Sequence, residues 1–260
     1  EKGFSAGWID VYENKGKRHG AYSWGAYGVH PYVLLNYNGT LRDVFTLAHE
    51  MGHAMHRFFT QATQPVTYAG HSIFTAEVAS VTNEILLLEY LLRTTSDRES
   101  RLYLLNYALE QIRTTVYRQM LFAEFELETH RRAEAGEALT PDVLSQIWRG
   151  LNERYYGPDV VVDPELEMEW GRIPHFYSAF YVYQYATGFA AAADLAQKIL
   201  TEGAPAVERY LTFLKSGDSA YAIDLLRAAG VDMTGPEPLE AVARTFATRL
   251  DELQALLEEN

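Results

Sequence analysis

Thr40-Leu41-Arg42-Asp43-Val44-Phe45-Thr46-Leu47-Ala48-His49-Glu50-Met51-Gly52-His53-Ala54-Met55-His56-Arg57-Phe58 is the stretch on which the fold turns. Thr40 with Asp43 reads as a capping box, with the acid three residues past the cap. Val44, Phe45, Leu47, Ala48, Met51, Ala54, Met55 and Phe58 then recur at helical spacing for about five turns. A well-capped amphipathic helix is therefore expected here, and it carries both histidines of the motif.

Upstream the pattern changes. Trp8–Tyr12, Ala21–Trp24 and Tyr32–Tyr37 are short β-prone runs separated by glycines and Pro31, and Asn38-Gly39 closes them with a turn. Downstream the spacing stays helical. Helices are expected over about 74–94, 99–134, from Thr140-Pro141 onward, about 176–201, and near 204–215, 218–229 and 237–258. Gly157 to Pro174 reads as an acidic, Pro-containing connection. There is no internal repeat and no low-complexity tract. The fold class is mainly α with a small N-terminal β element. The chain reads as one unit over 1–260, β-rich over 1–38 and helical over 39–260.

Composition removes several function classes. The formal charge of −13 argues against a nucleic-acid partner, which needs clustered Lys and Arg. Zero Cys excludes a disulfide scaffold, a zinc ribbon and a cysteine nucleophile. The longest apolar candidate, around Ala190 to Ala196, is interrupted by Asp194, so no membrane span is expected. The first twenty residues lack a signal pattern, which makes a cytoplasmic protein the expectation. The chain starts at Glu1 rather than Met, which suggests a piece of something longer.

His49 and His53 stand one turn apart on one helical face, where two imidazoles can hold one cation. Glu50 adjoins that face and can polarise a metal-bound water. Two His ligands with a general base is the arrangement of zinc peptidases. The plainer alternative is a surface helix that happens to carry two histidines. His56 lies about 10 Å beyond His49 along the axis, too far to share the ion, and reads as support behind the ligands or as packing. A third His six residues past His53 is absent, because position 59 is Phe. A carboxylate on the next helix is therefore expected as third ligand. Glu77, inside the apolar run Ile73–Val81, is the candidate, since a charge is rarely placed there without a partner. Its alternative role is a cap or a pairing with Arg. Glu84, two turns on, is expected to support the site or the fold. Three protein ligands leave one position open for water, as catalytic sites require. A di-iron bundle needs two Glu-x-x-His pairs, and only Glu50/His53 has that spacing.

A second constellation runs from His175 to Tyr185. Tyr177, Tyr181 and Tyr185 are spaced i, i+4, i+8 and would share a helical face. Phenols and an imidazole are suitable donors to the oxyanion of peptide hydrolysis. An aromatic packing stripe is the alternative.

These residues carry a family resemblance. His49–His56 resembles the signature of the thimet oligopeptidase and oligoendopeptidase F family of zinc peptidases. The similarity extends over Gly20–Ser23, His30–Tyr37, Phe74–Ser80, His175–Gly188, Leu214–Gly217 and Ala229–Met233. It implies one Zn2+ per chain on His49, His53 and Glu77, with Glu50 as general base. It implies that His175 and Tyr185 support the tetrahedral intermediate, and less directly Tyr181. It also implies a zincin-like catalytic domain of a helical, channel-type oligopeptidase that cuts short peptides, with the family's N-terminal helical region absent from this sequence. The expected activity is therefore zinc-dependent hydrolysis of internal peptide bonds. Tyr32, Val33 and Leu34 are expected to hold substrate backbone by strand-edge pairing. The rivals are a zinc carboxypeptidase on a similar scaffold and a metal-free or inactive peptide-binding fragment.

Overall fold

The fold was obtained as a computed structural model that describes residues 2–258. In chain order the elements are α1 (Lys2–Ser5), β1 (Ile9–Asp10), β2 (Tyr22–Trp24), β3 (Tyr32–Leu34), α2 (Leu41–Thr63), α3 (Ile73–Thr94), α4 (Arg98–Ile112), α5 (Arg118–Glu134), α6 (Pro141–Tyr156), α7 (Tyr183–Glu202), α8 (Ala204–Leu214), α9 (Ala222–Ala229) and α10 (Glu237–Glu258). The mainly helical class with a small sheet is the architecture observed. A π-helical turn, Arg113–Tyr117, joins α4 to α5, where a single uniform helix was expected. The chain forms two compact units. One comprises residues up to Leu109 and from Thr187 onward; the other is Glu110–Ala186. No helix among the described residues is long and apolar enough to cross a membrane.

The first unit is built on α2. Thr40 caps it as its sequence predicts: Asp43 N–H donates to Thr40 Oγ1 (3.3 Å) and Thr40 N–H donates back to Asp43 Oδ2 (2.9 Å). Along α2 the buried side divides. Phe45 enters a core of Leu88, Leu92, Leu104, Leu105 and Ala108. Ala54 meets Val33 and Leu35 beneath the sheet. Halfway along, Gly52 lies against α3. A Cβ built on Gly52 would stand 2.5 Å from the Ser80 Cα and 2.8 Å from the Ala79 carbonyl oxygen. Only a residue without a side chain permits this approach, which sets α3 beside the histidine face of α2.

The sheet order is β1-β3-β2, with β1 parallel and β2 antiparallel to β3. This corrects the strand-edge expectation for Tyr32, Val33 and Leu34. They form the middle strand, whose polar edges are already taken on both sides, and Val33 is buried. The sheet's free edges belong to β1 and β2.

The second unit packs α5, α6 and the segment before α7 around Phe122, Phe125, Trp148, Ile173 and Val182. The helix expected from residue 176 does not start there. A 3-10 turn, Pro174–Tyr177, is followed by extended backbone at Ser178 and a left-handed residue, Phe180, and α7 begins only at Tyr183. Burial of Phe176 and Val182 in the same aromatic core outweighs the local helical spacing. Tyr177 is consequently 91% exposed and leaves the face that it was expected to share with Tyr181 and Tyr185.

Candidate metal centre and an aromatic cluster

Three side chains of the first unit converge. His49 Nε2 and His53 Nε2 are 3.2 Å apart, and Glu77 Oε2 lies 3.4 Å from the first and 3.6 Å from the second. The two histidines come from adjacent turns of α2 and the carboxylate from the first turns of α3, brought near by the Gly52 approach. Together they form a group that could hold a metal ion. Glu77 therefore pairs with the two histidines, and Ser80 Oγ donates to its Oε2 (3.1 Å).

Behind them, His49 Nδ1–H donates to Glu84 Oε1 at 2.6 Å. That bond fixes the ring and makes Nε2 the nitrogen that faces His53 and Glu77. Replacing Glu84 with Ala is expected to weaken metal affinity by about 10- to 100-fold. Competition titration against a chromophoric chelator measures this, and unchanged affinity would remove the orienting role.

Glu50 is 6% exposed, and its Oε2 has no hydrogen-bond partner in the structure. Burial pushes its pKa up to about 7; the charge on His49 opposes this, and Glu77 and Glu84 add to it. A buried carboxyl titrating near neutrality suits a general base. For His49, burial favours the neutral ring, but hydrogen bonds and charges from Glu77 and Glu84 outweigh it and raise the pKa to about 10. Burial and then the His49 charge hold His53 down at about 4. Glu77 is lowered to about 2: burial works against this, and the histidines and Ser80 prevail. Without an ion, then, the cluster stores one proton on His49 between two carboxylates. A cation would replace that positive charge.

His56 is buried with its ring 3.7 Å from that of His71 and 5.3 Å from Phe213. His71 Nε2 in turn lies 2.9 Å from Thr60 Oγ1, which donates to the Leu214 carbonyl. His56 thus packs where α2 meets the loop before α3 and the end of α8.

In the second unit, His175 stacks on Tyr181 (centroids 5.7 Å, planes 17° apart) and meets Tyr185 edge-on at 6.0 Å. The Tyr185 hydroxyl lies 3.4 Å from that of Tyr181. Three groups able to donate to an oxygen anion therefore stand together. Gly52, Ser80 and Glu126 carry no motif that marks them in the sequence. Gly52 alone left a signal, as a glycine inside a helix interior between two candidate ligands.

The profile of peptidase family M3 matches residues 1–245. The chain belongs to peptidase family M3. Among its M3 relatives, "Oligopeptidase PepF" of Bacillus subtilis (strain 168) is 54% identical over 257 residues, 99% of this chain and 38% of that protein. "Oligoendopeptidase F, chromosomal" of Lactococcus lactis subsp. cremoris is 48% identical over 98% of this chain and 42% of its own length. The crystal structure of oligoendopeptidase-F from Enterococcus faecium superposes with a TM-score of 0.77 at 47% identity, covering 85% of this chain and 40% of that one. The M3 chain described here thus spans about two fifths of the relatives it matches.

Proposed function

We propose that the chain carries the catalytic centre of a zinc-dependent endopeptidase acting on short peptides. The observation that supports this most directly is the ligand spacing. Donors about 2.0–2.1 Å from a tetrahedral zinc stand roughly 3.3–3.4 Å from one another, and the three donor atoms are separated by 3.2, 3.4 and 3.6 Å. Two imidazoles and a carboxylate are also a donor set that zinc favours in catalytic sites. His49, His53 and Glu77 would hold the ion. Bound there, it supplies Lewis-acid activation of water and of the scissile carbonyl.

The remaining chemistry belongs to the chain's own residues. Glu50, a buried carboxyl with its pKa raised to about 7, accepts the proton of the attacking water and returns it to the leaving amine. Glu84 keeps the His49 ring in place. His175 and Tyr185, with Tyr181, are assigned as oxyanion donors by the resemblance, and their clustering within their own unit supports that assignment. We take 1–260 as one catalytic domain acting in the cytoplasm. Short peptides as substrates accord with the relatives' names, oligopeptidase and oligoendopeptidase.

The test is metal content with peptide turnover. The purified chain is expected to hold one zinc, to lose cleavage of a quenched-fluorescence peptide on chelation, and to regain it with zinc. Internal cuts are expected rather than stepwise loss of C-terminal residues. One zinc per chain without turnover would overturn the peptidase reading while leaving the metal assignment. Because His49 keeps its proton up to about pH 10 in the metal-free protein, loading at pH 7–8 is expected to release about one proton per ion, and affinity should rise with pH. Calorimetry in buffers of different ionisation enthalpy reads that number. Zero protons released would contradict the charge arrangement described above.

A further inference from the structure

Among the described residues, Phe180 alone among non-glycines has a positive φ, at 54°. A bulky side chain in left-handed backbone crowds the neighbouring carbonyl and persists only where the surroundings impose it. Glu126 of α5 supplies that constraint. Its carboxylate Oε1 accepts the Phe180 N–H. Its carbonyl accepts the His130 Nδ1–H at 2.7 Å, and the Phe180 ring rests on His130 with centroids 4.6 Å apart. Glu126 is itself only 4% exposed. A carboxylate this deep costs free energy unless hydrogen bonds to it compensate, so its presence calls for an explanation beyond packing.

The turn it holds decides which phenols meet the imidazole. On the N-terminal side of Phe180, Tyr177 faces solvent. Immediately after it, Tyr181 stacks on His175 and its hydroxyl reaches that of Tyr185, while Val182 is fully buried. Were the backbone helical through residue 180, Tyr177, Tyr181 and Tyr185 would share one face and His175, two residues before Tyr177, would point away from it.

We propose that Glu126 is a positioning residue for the His175–Tyr181–Tyr185 cluster, its carboxylate holding the left-handed turn at Phe180 that brings the two phenols to the imidazole. This rests on the reading of His175 and Tyr185 as oxyanion donors. Any good acceptor of the same length would serve, so Gln at 126 preserves the function and Ala removes it.

The experiment uses the full zinc-loaded chain. Glu126→Ala is expected to lower kcat by about tenfold or more with KM within about twofold and zinc content unchanged, and Glu126→Gln to stay within about threefold of the parent. The same proteins labelled with 3-fluorotyrosine report the cluster without reference to activity. The fluorine resonances of Tyr181 and Tyr185, assigned with Tyr181→Phe and Tyr185→Phe, should shift or broaden in Glu126→Ala, while that of Tyr210 in the other unit stays. A third variant guards against general damage. Glycine takes a φ of 54° without strain, so removing Glu126 in a Phe180→Gly background should perturb Tyr181 and Tyr185 less than it does in the parent. Unmoved Tyr181 and Tyr185 signals in Glu126→Ala, equal effects in both backgrounds, or a Gln variant as impaired as the Ala variant would each overturn the proposal. If the parent itself does not cleave peptides, the functional reading fails, and the fluorine comparison still judges the positioning role.

Discussion

Replacing Glu50 with Gln is expected to lower kcat by about 10²- to 10⁴-fold, or roughly 3–5 kcal/mol of barrier, while the protein still binds zinc. The amide has nearly the same shape, so the candidate ligands on either side of it on α2 should keep their places. What disappears is the buried carboxyl proposed to take the proton of the attacking water. Activity near the parent level, with zinc retained, would mean that another residue is the base. The same variant makes a stability prediction of opposite sign. In the metal-free protein burial raises the Glu50 pKa from an ordinary 4.5 to about 7. A group raised in this way stabilises the fold fully below its unfolded pKa, and that contribution is lost as pH rises through the folded value. Above pH 7 the parent therefore carries an ionised, buried carboxylate. Glu50→Gln should then be the more stable by up to roughly 3 kcal/mol at pH 8, with the difference fading toward pH 4.5. Denaturant titrations of the metal-free proteins at pH 5 and pH 8 measure it. A pH-independent difference would argue that Glu50 is not held in a penalising environment.

Gly52→Ala is the second large effect. Two terms oppose each other. Alanine favours an isolated helix over glycine by about 1 kcal/mol. Against that, the new methyl would sit 2.5 Å from the Ser80 Cα and 2.9 Å from the Ser80 nitrogen. Those atoms are backbone, so no side chain can rotate away and α2 and α3 must part. Overpacking of this kind costs about 1–3 kcal/mol and sometimes more, so a net loss is expected, with a fall in Tm of a few degrees or more. The functional loss should exceed the loss of stability. His49 and His53 ride on α2 and Glu77 on α3, and separating the helices spreads the three donors. Zinc affinity is expected to fall by about tenfold or more, by analogy with the loss of an orienting partner. A Gly52→Ala protein with unchanged Tm and unchanged affinity would mean that the helices are less closely set at Gly52 than described.

Much of this site was readable before any coordinates. Spacing on a capped helix put His49, Glu50 and His53 on neighbouring parts of one face, and the carboxylate isolated in the apolar run of α3 singled out Glu77. The sequence reading failed where tertiary contacts outweigh local pattern. Tyr177, Tyr181 and Tyr185 have helical spacing, yet the backbone leaves the helix at Ser178 and Phe180. The aromatic core around Trp148, and the Glu126 carboxylate from a distant part of the chain, impose the break. Tyr32 to Leu34 read correctly as a strand and incorrectly as an edge, because the order of strands in a sheet depends on which distant segment pairs with which.

The amino-acid sequence by itself determined what is periodic and local: the helical class, the cap of α2, the pair of histidines and the acid between them. Side-chain spacing along a helix is fixed by the backbone, so residues four apart must meet. Tertiary structure decided what depends on separation in space. It placed Glu77 within 3.6 Å of both histidines across the Gly52 contact, set Glu84 behind His49, and removed Tyr177 from the company of Tyr181 and Tyr185. These are close approaches between residues tens of positions apart. Helix-to-helix packing and buried hydrogen bonds choose them, and no local pattern records that choice.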